Sequence, residues 1–208
     1  MVQAFLSGVT TGNVKVQWNV CHALGNLFLN KSLKVKDMDW TSSVFSILLL
    51  LLRDSSNFKI RIQAAAALAA PETINEYGKS YYDVDKSAWS MLLRTLNQDQ
   101  IAEPSNFKYR IALEKQLTST MLHLLDLASK CDQRAIQDLL VKKASFLEVW
   151  IEDLYSSVGD TSNSLDEAKH VSVDQKRDVI FRTIQSLIKV YESSNHHLIA
   201  QRFEKIGI

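Results

Sequence analysis

Glycine and proline are scarce in this chain. Its 208 residues include 6 Gly and 2 Pro, where average usage would supply about 15 and about 10. Tight turns draw on both residues, so the shortage excludes sandwiches, barrels and other turn-rich folds. Cysteine is as sparse: Cys21 and Cys131 stand far apart and neither belongs to a C-x-x-C pair. That leaves no disulfide framework and no zinc site to read, and it implies a reducing, intracellular setting, cytoplasmic or nuclear. Neither sign of charge prevails. Lys and Arg number 24 against 23 Asp and Glu, a formal net charge of +1, which disfavours nucleic acid or an anionic membrane as partner. The longest run of large apolar residues, Ile47 to Leu52, holds 6 residues. A membrane-crossing helix needs roughly 20, so the run reads as a helix segment that is apolar all round and buried between layers.

Catalytic signatures are missing as well. The chain has no G-x-S-x-G, P-loop, G-x-G-x-x-G, H-E-x-x-H or EF-hand loop. His196 and His197 form the one tight histidine pair, but neighbouring helical residues point about 100° apart and do not easily share a metal. His22 and His123 fall within helical runs, where packing explains them. Glu148, Glu152 and Asp153 read as the solvent face of an amphipathic helix. The expectation is a protein that is not an enzyme, with no catalytic residue, cofactor or metal.

What the chain does contain is a repeat. Asn13-Val14-Lys15-Val16-Gln17-Trp18 returns as Asn57-Phe58-Lys59-Ile60-Arg61-Ile62 and as Asn106-Phe107-Lys108-Tyr109-Arg110-Ile111. Lys15 and Lys59 lie 44 positions apart, and Lys59 and Lys108 lie 49 apart, near the roughly 40 to 47 of two-helix HEAT units. Each Asn stands where a helix N-cap belongs, its side-chain oxygen able to accept an orphan backbone N–H. Helix-favouring runs follow at 18–29, 62–70 and 113–128, with partner helices ahead of the second and third at 40–52 and 84–96. The polar stretch 71–83 reads as an enlarged connection, and 159–170 as a mobile loop. Beyond it, Ser172 and Asp174 are alternative caps for the next helix.

The segments VKVQWNVCHALGNLF at 14–28, NFKIRIQAAAALAAP at 57–71 and NFKYRIALEKQLTSTMLHLLDLA at 106–128 resemble the C-terminal region of the HEAT-repeat-containing protein 6 family. The resemblance covers about 14–130. It implies an armadillo or HEAT-type solenoid of poorly defined cellular role, with no catalytic residues to carry over. Past Lys130 only the apolar spacing supports a further repeat.

The recurrent cations are the main candidate site. Lys15, Lys59 and Lys108 take the second position after each cap, and Arg61 and Arg110 the fourth, although the positive end of a helix disfavours cations by roughly 0.3 to 1 kcal/mol each. One reading is an inter-repeat ladder that bonds turn carbonyls or acids such as Asp54 and Glu103. The other is a basic stripe that grips an acidic peptide. Trp18, Trp40, Trp89 and Trp150 follow apolar helical spacing and read as core anchors.

The expected architecture is all-α: one right-handed HEAT/armadillo-like superhelix over 1–208, with repeats at about 2–30, 38–70, 84–130 and 132–194 and a terminal helix at 197–206. Phe5, Leu6 and Val9 are expected to face a missing preceding unit, as in the C-terminal end of a longer solenoid. The expected role is a non-catalytic scaffold for a protein or peptide partner, acidic if the cations face outward. The alternative is an architectural C-terminal cap on upstream repeats of the same full-length chain.

Overall fold

A computed structural model describes residues 2–9, 12–30, 32, 38–97, 104–159 and 167–207. The fold is all-α, with no strand among the described residues. The helices are α1 (Val2–Val9), α2 (Val14–Leu29), α3 (Thr41–Asp54), α4 (Phe58–Leu68), α5 (Ile74–Tyr77), α6 (Tyr81–Asn97), α7 (Pro104–Ala128), α8 (Arg134–Gly159), α9 (Glu167–Ser193) and α10 (His197–Glu204). The chain divides into two compact units, Met1–Met121 and Leu122–Ile208.

Two of the repeated asparagines start helices. Asn13 Oδ1 accepts from the Lys15 and Val16 amides at 3.0 and 3.3 Å, and Asn57 Oδ1 accepts from the Lys59 amide at 2.9 Å. Both caps have extended backbones, as the cap position requires. The third differs. α7 opens at Pro104, so Asn106 lies inside the helix and is not its cap; proline at the first helical position loses no hydrogen bond and has φ already set. Ser172 and Asp174 likewise fall inside α9, which begins at Glu167 in a run of strong helix formers, Glu-Ala-Lys. Most of the expected 159–170 loop lies outside the described residues.

In the first unit, α4 packs against α2 and α3, α3 also against α6, and α1 against α2. The contact between α2 and α4 is close because small residues meet there. A Cβ built on Gly25 would stand 3.4 Å from Ala67 Cα, and Ala64, Ala65 and Ala67 are all buried. A run of stacked rings fills the core: Phe28 on Phe45 at 5.0 Å, Phe45 on Tyr77 at 5.4 Å, and Tyr77 edge-on to Tyr81 at 5.5 Å. The 71–83 stretch is therefore not a plain connection. Thr73 and Glu76 form a capping box that starts α5, and Tyr77 and Tyr81 carry the segment into the core. The Tyr77 hydroxyl donates to the Leu68 carbonyl at 2.7 Å, and burial raises its pKa above the usual tyrosine value. Thr120 does similar work on α7, donating to the Ala65 carbonyl at 3.1 Å.

Three apolar expectations change. α3 is not apolar-buried all round: Leu48, Leu51 and Leu52 are buried, but Leu50 is half exposed. Val9 is buried rather than facing outward, and the side chains of Phe5 and Leu6 lie outside the described residues. Trp89 and Trp150 are core residues, Trp40 is half-buried, and Trp18 is 39% exposed.

In the second unit, α9 packs against α8 and α10. Leu147, Ile151, Ile184, Leu187 and Tyr191 form the buried centre. The Tyr191 hydroxyl donates to the Leu140 carbonyl at 3.1 Å, and Thr183 donates to the Leu122 carbonyl at 3.1 Å. Glu148 pairs with Arg202 of α10 at 2.9 Å. Asn195, at φ 61°, turns the chain from α9 into α10, with the His196 amide donating to the Tyr191 carbonyl at 2.7 Å; asparagine tolerates this left-handed position better than most residues.

Candidate functional site

The starts of α2 and α4 open onto a groove of about 730 Å³, lined by Val14, Lys15, Trp18, Asn19, Ser56, Asn57, Phe58, Lys59 and Tyr109. Helical geometry explains the α2 side, since positions 14, 15, 18 and 19 fall on one face. Trp18 and Gly25 also share a face, two turns apart. At Gly25 the helices touch, whereas at Trp18 they leave room for an indole and the groove beside it. Three apolar side chains are partly open here, with Val14 at 44%, Trp18 at 39% and Tyr109 at 38% exposure. The Trp18 ring leans on His22, centroids 5.7 Å apart, and Asn26 Nδ2 lies 2.9 Å from His22 Nδ1.

The five cations have different fates. Lys15 and Lys59 are exposed groove residues, and Lys59 Nζ sits 5.4 Å from the centre of the Tyr109 ring, within range of a cation–π attraction. Arg61 turns the other way and is partly buried. Its Nη2 donates to the Arg53 carbonyl at 3.2 Å, across the turn between α3 and α4. Burial chiefly, and then the charge of Arg94, lower its pKa, against the pull of Asp54. Asp54 is engaged by Arg53 at 2.7 Å, and that bond holds its carboxyl below the usual range. Lys108 is exposed and Arg110 half-buried, and neither lines the groove; Glu103 lies outside the described residues. The motif thus brings Lys15, Lys59 and Tyr109 together and sends Arg61 to the turn. Sequence reasoning missed Trp18 and Tyr109 as surface residues. The available signal was their place inside the same six-residue motif as the lysines.

A smaller depression of about 340 Å³ adjoins the groove, sharing Val14, Ser56 and Asn57 and reaching Leu50 and Asp54. Among the described residues no group of three His, Cys, Asp or Glu could hold a metal ion, and no helix is long and apolar enough to cross a membrane. Cys21 and Cys131 are buried thiols, and burial pushes Cys21 up to about 12.

No protein family profile matches the chain, and no solved structure matches it. It is similar to an uncharacterised protein of Dictyostelium discoideum, 37% identical over 123 residues, which is 54% of this chain and 8% of that protein. The chain thus spans a small fraction of the relative's length.

Proposed function

We propose that the protein is a non-catalytic scaffold of HEAT-like helix pairs that holds a protein partner in the groove at the starts of α2 and α4. The observation that carries this reading is the meeting of Trp18, Tyr109, Lys15 and Lys59 around one opening of about 730 Å³, a volume within the range of binding pockets. Trp18 and Tyr109 stand partly exposed beside two cations, and Trp and Tyr are the residues on which interfaces concentrate their energy. The packing of α1 on α2, of α3 on α4 and of α8 on α9 supports a reading as helix pairs. The buried thiols fit an intracellular setting. A photo-reactive phenylalanine analogue at position 109 tests the reading: partner crosslinks that vanish in Trp18→Ala are expected. A set of crosslinks indifferent to Trp18 overturns it.

The small share of the Dictyostelium protein that the chain spans favours a second reading, an architectural piece of a larger solenoid whose binding site lies elsewhere.

A further inference from the structure

Resting on the scaffold reading, we infer that the groove takes an extended acidic segment of a partner protein, with a bulky apolar side chain beside its carboxylates. The groove lining includes Lys15 and Lys59 and no acidic residue. Among the described residues neither lysine has an ion-pair partner, and the contact of Lys59 is with the face of Tyr109. These ammonium groups stand at helix ends that already carry partial positive charge, so the groove lining concentrates one sign of charge, and Asp54 in the adjoining depression is engaged by Arg53. A ligand that meets it must bring anions. The remaining lining is apolar: Val14, Trp18 and Tyr109 offer a shelf that a purely ionic ligand would leave wet. One ligand chemistry satisfies both halves, alternating carboxylates with an aromatic or branched apolar residue. Asn19 lies in the same lining and carries an amide of the kind that can pair with the backbone of an extended peptide, whereas the Asn57 oxygen is held by the Lys59 amide.

A nucleic acid fits less well. Stable phosphate tracking rests on several cations in succession, whereas this lining has two and the whole chain carries +1. A membrane surface fits poorly too, because the apolar shelf is recessed in a groove.

The test uses the full chain against a random dodecapeptide phage library, with fluorescence anisotropy on the synthetic peptides selected, and with an oligothymidine and phosphatidylserine vesicles as further probes. The expected outcome is enrichment of Asp or Glu next to Phe, Trp or Leu. Binding of the selected peptide should then weaken about tenfold in Lys15→Glu and in Lys59→Glu, at unchanged melting temperature, and also in Trp18→Ala. Lys59→Gln should weaken it less than Lys59→Glu. Peptides without acidic enrichment that still require Trp18 overturn the acidic occupant and leave the scaffold reading standing. Tighter binding of oligothymidine or vesicles than of any peptide overturns the peptide assignment. Failure to select any Trp18-dependent peptide, with the crosslinking at position 109 also indifferent to Trp18, overturns both readings.

Discussion

Asp85 is fully buried on α6, and desolvation raises its carboxyl from the ordinary value to about 7. The folded protein therefore holds a proton that the unfolded chain releases near pH 4. Between those two pH values the folded state binds more protons, so stability is greatest in mild acid and falls as pH rises through about 7. Melting curves should show a decline on the order of 2 to 4 kcal/mol across that window. Asp85→Asn should flatten it and be more stable than wild type at pH 8; a wild-type profile that rises over the same range contradicts the assignment. Arg61 gives a second residue-level expectation. Arg61→Ala leaves the Arg53 carbonyl without its side-chain donor and should cost about 1 kcal/mol, while Lys15→Glu and Lys59→Glu, at exposed helix starts, should stay within about 0.5 kcal/mol of wild type. Chemical denaturation of the three variants distinguishes them, and equal losses in all three would place the lysines in the framework instead of the groove.

Helix packing turns on the small residues between α2 and α4. An added methyl at Gly25 meets Ala67 at 3.4 to 3.5 Å, ordinary contact, so Gly25→Ala should gain up to about 1 kcal/mol from helix propensity. Gly25→Leu overfills the same contact and should lose stability; thermal melts of the pair give the comparison, and a destabilised alanine variant would mean that the helices are closer than described. Helix spacing and the Asn13 and Asn57 caps were legible in the sequence, because an N-cap is a local event that needs only an oxygen and the next turn's amides. Asn106 misled because Pro104 starts α7 earlier on equally local grounds. The buried role of Tyr77 and Tyr81 was hidden behind the polar residues around them, since ring stacking with Phe45 and Phe28 brings together residues from four helices. Trp18 failed for a related reason. Apolar spacing names the face of α2 that meets a neighbour, but it does not say where along that face the neighbour parts from it.

At the scale of the whole molecule, charge is nearly balanced, and among the described residues the ion pair Arg53–Asp54 is exposed and Arg202–Glu148 partly exposed. Such pairs contribute little to stability, and raising salt from about 0.1 to about 1 M shortens the screening length from about 10 to about 3 Å. Melting temperature should therefore barely respond to salt, whereas capture of an acidic peptide should weaken steeply; parallel loss of both would trace the salt effect to unfolding. The Thr120 hydroxyl bond to α4 bears on that binding too. Thr120, whose hydroxyl lies 3.1 Å from the Ala65 carbonyl and 2.9 Å from the Gln116 carbonyl of its own helix, and Tyr109 lie three turns apart on one face of α7, so the contact at Thr120 helps set the roll angle of the helix that carries Tyr109 against Lys59. The aromatic wall is in place before any ligand arrives. Ordering entropy then falls mainly on the peptide, and association should proceed in a single kinetic phase, at a rate proportional to peptide concentration and without a slow rearrangement behind it.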